Sequence, residues 1–91
     1  MSARCVIEGA HLRSVADVYD ALAAQLDLPA HLGRNLDALW DALSTDLAGP
    51  VEIVWRDAAA SRTTLGPEAD RLIALLREVA AARDDIALIV T

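Results

Sequence analysis

Ile86-Ala-Leu-Ile-Val90 (IALIV) is a five-residue run without a polar side chain, and its reading decides the fold class. A run this short and this apolar suits a strand of a parallel sheet covered on both faces. Working back along the chain, Pro67 suits the first turn of a long helix that runs to about Arg83. Asp57 stands where it can cap a short helical turn across Ala58–Arg62. Val51–Trp55 (VEIVW) reads as a second buried strand, set off by the breaker Gly49-Pro50. Arg4–Glu8 (RCVIE) reads as the first strand, closed by Gly9. Ser14 starts a helix, with Asp17 three residues on as in a capping box. Val15, Val18, Tyr19, Leu22 and Leu26 continue that helix at helical spacing, and Pro29 ends the region. Asp27–Asn35 (DLPAHLGRN) is a loop, and Asn35 caps a further helix from Leu36 to about Leu47. The order is β-α-α-β-α-α-β. Strands separated by helices predict an α/β fold, a small three-stranded parallel sheet flanked by helices, in a single domain over residues 1–91.

Composition limits the function classes. The chain is 55% hydrophobic, enough for one core, although Phe is absent. Formal charge is −6 and the sequence pI is about 4.6. That sign argues against nucleic acid, whose phosphates require cations, and favours a basic partner. Solubility alone also explains an acidic balance. The single cysteine, Cys5, excludes an internal disulfide and sits in an apolar run as a small core residue. The N-terminus has no apolar signal region and no stretch reaches membrane-spanning length, so the expectation is a cytoplasmic protein without a membrane association.

The segment Asn35–Ser44 (NLDALWDALS) carries the most information about function. At 100° per residue Leu36, Leu39, Leu43 and Leu47 gather toward the core. Asp37, Asp41 and Ser44 share the flank, with Trp40 at the boundary. Asp37 has an ordinary explanation, because a carboxylate in the first turn is stabilised by the helix dipole. Asp41 lies a turn further in. Its neighbours at helical spacing are Asp37, Ala38, Ser44 and Thr45, so it has a like charge and no cation. Such a pair costs about 0.2–0.5 kcal/mol. Two carboxylates without cations beside a Trp form either a site for cations or a solvated face, and the spacing fits both. Glu78 repeats the pattern on the last helix. Its neighbours at three and four residues are Ala74, Leu75, Ala81 and Ala82, none of them a cation.

Over Leu28–Leu43 (LPAHLGRNLDALWDAL) the chain resembles the barstar family, inhibitors of barnase-like ribonucleases. Gly33–Asp41 (GRNLDALWD) carries the likeness most specifically. It extends through Ile7-Glu8-Gly9, Arg13-Ser14, Pro50, Glu52 through Arg56, Arg77-Glu78 and the last strand. The resemblance implies a three-stranded parallel sheet flanked by helices. It implies inhibition of a basic extracellular ribonuclease in a 1:1 complex, by a chain that is a monomer when free, with the second helix and its preceding loop filling the enzyme's active site. On that reading Asp41 is the dominant acidic anchor, Asp37 a second acidic contact, Trp40 an aromatic rim contact and Glu78 a peripheral acidic contact. Gly33, Asn35 and Ser44 then belong to the neighbouring surface. The family carries Tyr-Tyr where this chain has His31-Leu32, and its first Tyr stacks on the ribonuclease's catalytic His; His31 could stack there with less area and a variable charge, which leaves open a cognate ribonuclease other than barnase. The family's two cysteine positions hold Ala42 and Asp84 here.

Two other classes compete. An enzyme could use Asp37 and Asp41 as an acid–base pair, but the chain has no telling nucleophile–base spacing and no Gly-rich phosphate loop. His11, His31 and Cys5 lack any metal-ligand spacing, and no cofactor is implied. An immunity or adaptor protein for a different basic toxin would use the same acidic helix equally well.

Overall fold

The structure, a computed structural model, describes residues 3–28 and 32–91. Three strands, β1 (Ala3–Glu8), β2 (Val51–Arg56) and β3 (Ile86–Val90), form one parallel sheet in the order β1-β2-β3. Between them lie α1 (Val15–Gln25), α2 (Leu36–Asp41), α3 (Ala58–Leu65) and α4 (Pro67–Ala82). A 3-10 turn at Gly9–His11 follows β1, and a π-helical turn at Ala42–Asp46 extends α2. The fold class and the element order are those read from the sequence. No helix among the described residues is long and apolar enough to cross a membrane.

Side chains alternate across the sheet. Cys5 and Ile7 on β1, Val51, Ile53 and Trp55 on β2 and Ile86 on β3 project to one face and are buried under the helices. Leu22 and Val18 from α1, Leu39 and Leu43 from the α2 region, and Leu72, Leu76 and Val79 from α4 complete this core. Burial pushes the Cys5 thiol up to about 11, so the cysteine is an inert packing group, as expected.

The other sheet face corrects one expectation. β3 is not covered on both sides, since Ala87 is exposed and Ile89 is 43% exposed. That face carries the ion pairs Arg4–Glu52 (3.2 Å) and Arg56–Glu8 (2.9 Å), each between directly paired strand positions. Between them runs the apolar row Val6, Val54, Ile89. An apolar run shows that a strand is hydrophobic but not which of its faces a helix reaches. β3 is also an edge strand, which tolerates partial exposure. The opposite edge is blocked by α1: the Gln25 amide accepts from the Val6 N–H and donates to the Val6 carbonyl, both at 2.8 Å. This takes up an edge pair that is otherwise open to another strand.

Two caps differ from expectation. Ser14 precedes α1 but makes no side-chain cap bond. Asp17 instead accepts from the Arg13 N–H at 2.8 Å, one position earlier than a capping box requires. Asp57 precedes α3 in a left-handed conformation (φ 54°) and caps through its carbonyl, which accepts from the Ser61 N–H at 3.1 Å. Gly9 is required nearby. A Cβ there would collide with the Arg56 and Asp57 carbonyls and the Ser61 hydroxyl, because the 3-10 turn lies directly on the β2–α3 junction.

Candidate partner-binding site

Asn35 sets the start of α2. Its backbone is extended (φ −148°, ψ 164°), and its side-chain oxygen accepts from the Ala38 N–H at 2.8 Å, the cap expected from its residue type. Gly33 is exposed just before it, and a Cβ there would sit 3.2 Å from both the Ala38 methyl and the Asn35 amide. The approach to the helix is therefore tight. Arg34 ties the same loop to α1, donating to the Ala16 carbonyl at 3.2 Å and pairing with Asp20 at 2.5 Å. His31 and its stacking role lie outside the described residues. Leu32 is half-buried against the core.

Along α2 the apolar stripe does what its spacing predicts. Leu39 and Leu43 are fully buried, Leu36 and Trp40 are half-buried against the core, and Asp37 and Asp41 are exposed. The helix was expected to run unbroken to about Leu47, but its geometry changes after Asp41 and closes through the π-helical turn. Widening the helix leaves carbonyls in need of donors. Ser44 donates its hydroxyl to the Trp40 carbonyl at 2.6 Å, and Thr45 donates to the Asp41 carbonyl at 2.5 Å. Ser44 is half-buried, and its proton is committed to the helix backbone.

A groove of about 350 Å³ runs between α2 and α4. Leu36, Asp37 and Trp40 line one wall, and Arg71, Leu75 and Glu78 line the other. Asp37 and Trp40 on α2 thus share one cleft with Glu78 on the sequence-distant α4, with carboxylates on both sides of an apolar floor. Asp41 stands one turn beyond Asp37 on the same exposed helix face.

The cations near this region are paired with other carboxylates. Six arginines make ion pairs among the described residues: Arg4, Arg34, Arg56, Arg62, Arg71 and Arg83. None of these pairs involves Asp37, Asp41 or Glu78. Even Arg71, at the groove wall, pairs with Glu68 on its own helix. The acidic face is thus left with a surplus of negative charge. No cluster of three or more His, Cys, Asp or Glu side chains suited to a metal occurs among the described residues.

The sequence profile of the barstar family, described as barnase inhibitor, matches residues 3–91. The chain belongs to the barstar family. A protein of Bacillus subtilis (strain 168) named "Putative ribonuclease inhibitor YrdF" is 35% identical over 75 residues, which is 82% of each chain. Barstar-family membership sets the chain among inhibitors rather than enzymes, so Asp37 and Asp41 are not a catalytic pair. Sequence reading did not single out Arg34, Arg71 or Arg83 as parts of the site. The Arg34 and Arg83 contacts span 18 and 40 positions, and no local pattern records such distances.

Proposed function

We propose that this chain blocks the RNA-cleaving site of a basic, secreted, barnase-like ribonuclease in a 1:1 complex, protecting the cytoplasm of the cell that makes it. The observation that carries the reading is the set of exposed carboxylates Asp37, Asp41 and Glu78, which no cation among the described residues pairs, while six of the eight basic side chains are paired elsewhere. A site that cleaves RNA must bind phosphates with cations. Carboxylates spaced along a rigid helix imitate those phosphates, and fixing them before binding lowers the ordering cost of association. Asp41 is the central anchor of this reading. Its proximity to Asp37 carries a small repulsion in the free protein, about 0.2–0.5 kcal/mol, that a cation between or beside them relieves. The groove suits a partner's basic side chain, with its charged head between Asp37 and Glu78 and its stem along Leu36, Trp40 and Leu75. Gly33 and Asn35 hold the approach to α2, Trp40 adds aromatic contact area, and Ser44 borders the Asp41 side.

Charge mimicry makes a kinetic prediction. Association with barnase, followed by stopped-flow fluorescence, is expected to slow by about tenfold or more between low salt and about 0.5 M salt, as screening removes electrostatic steering. A rate that does not change with ionic strength would contradict the mimicry.

A further inference from the structure

The end of the acidic helix is held by a side chain from the far end of α4. Arg83, the residue that closes α4, donates through Nη1 to the Leu43 carbonyl at 2.7 Å and to the Leu47 carbonyl at 2.8 Å. Its Nε and Nη2 donate to the two carboxylate oxygens of Asp85 at 3.0 and 2.8 Å. The side chain is only 18% exposed. A helix ends with carbonyls that lack partners. Here Ser44 and Thr45 satisfy those of Trp40 and Asp41, the Leu47 N–H satisfies that of Ala42 at 2.9 Å, and Arg83 takes those of Leu43 and Leu47. The planar fork gripped by Asp85 has little freedom to turn, so its remaining donors point in one direction. A cation at this end also suits the negative pole of the helix. α2 and α4 are the two walls of the acidic groove, and Arg83 joins their ends.

We propose that Arg83, oriented by Asp85, is a positioning residue for the partner-binding face: it fixes the π-helical turn after Asp41 and so sets where α2, with Asp37 and Asp41, stands relative to Glu78 on α4. A lysine could supply the charge but not the fork, since one ammonium cannot grip both Asp85 oxygens and two carbonyls in fixed directions. The inference rests on the inhibitor reading for its consequence in binding, but not for the existence of the clamp.

The test uses the full chain and barnase as the probe. Arg83→Gln is expected to speed hydrogen exchange at the Leu47 amide about tenfold, while the Ile53 and Val54 amides of β2 change by less than about twofold. The same variant is expected to leave barnase about tenfold faster. In an Asp41→Ala background the effect on dissociation is expected to shrink below about twofold, because the group being positioned is gone. Arg83→Lys is expected to recover part of both effects. Should Arg83→Gln not fold, Asp85→Asn, which keeps the guanidinium and weakens its anchor, carries the same readouts. Equal acceleration of all amides would make Arg83 a general stabiliser, and full additivity with Asp41→Ala would disconnect it from the binding face. Either result overturns the proposal. Failure of the wild-type chain to bind barnase would count against the proposed function, and the exchange measurement would still decide the clamp.

Discussion

Asp41→Ala is expected to weaken the complex with a barnase-like ribonuclease by about 2 kcal/mol or more, roughly 30-fold in Kd, with little change in folding stability. Asp41 is exposed and makes no side-chain ion pair among the described residues, so the fold does not depend on its carboxylate. Removing it also relieves the repulsion from Asp37, which leaves stability equal or raised by a few tenths of a kcal/mol. The binding loss comes from partner cations that would be desolvated in the interface without their counter-charge. Titration calorimetry at fixed salt, with urea denaturation of the same variant, separates the two effects. Wild-type affinity in the variant would remove Asp41 from the centre of the interface, and a large stability loss would show that it supports the fold.

Trp55→Ala is expected to do the reverse, lowering stability by about 3–5 kcal/mol while leaving the binding face chemically intact. Trp55 is 0% exposed at the end of β2. Its indole N–H donates to the Ser61 hydroxyl at 2.9 Å, and that hydroxyl donates to the Asp57 carbonyl at 3.3 Å. Ser61 is the only buried polar side chain among the described residues. Truncation therefore opens a large cavity and breaks a buried hydrogen-bonded chain where α3, β2 and the Gly9 turn meet. Domains of this size hold about 5–15 kcal/mol in total, so the loss is a large fraction of what is available. The urea midpoint should fall steeply, while affinity corrected for the folded fraction should stay near wild type. A loss below about 1 kcal/mol would mean that the core closes over the gap and that neither the Trp55 ring nor its bond to Ser61 is needed to hold it.

Both positions lie in stretches whose structure was readable in the sequence, whereas contacts between distant elements were not. The strands were legible because IALIV, VEIVW and RCVIE are short apolar runs between breakers, and the parallel arrangement followed from the helices between them. The Asn35 cap was legible because it is local, spanning three residues. The faces of α2 were legible because Leu39 and Leu43 recur at helical spacing and leave Asp37 and Asp41 on the other side. The open face of β3 was not, since burial of Ala87 and Ile89 depends on which side the helices occupy. Nor was the π-helical turn, because Ala-Leu-Ser-Thr-Asp is also compatible with continued α-helix. The groove joining Asp37 to Glu78 and the clamp of Arg83 on Leu43 and Leu47 depend on tertiary packing between elements far apart in the chain.

RNA cleavage by barnase, titrated with the purified chain, tests the central claim most directly. The expected result is a linear fall in cleavage rate that reaches zero near one equivalent at enzyme concentrations well above Kd, with Asp41→Ala requiring a clear excess. Undiminished cleavage in the presence of a tenfold excess of folded wild-type chain, or equal inhibition by wild type and Asp41→Ala at Kd-limited concentrations, would contradict it.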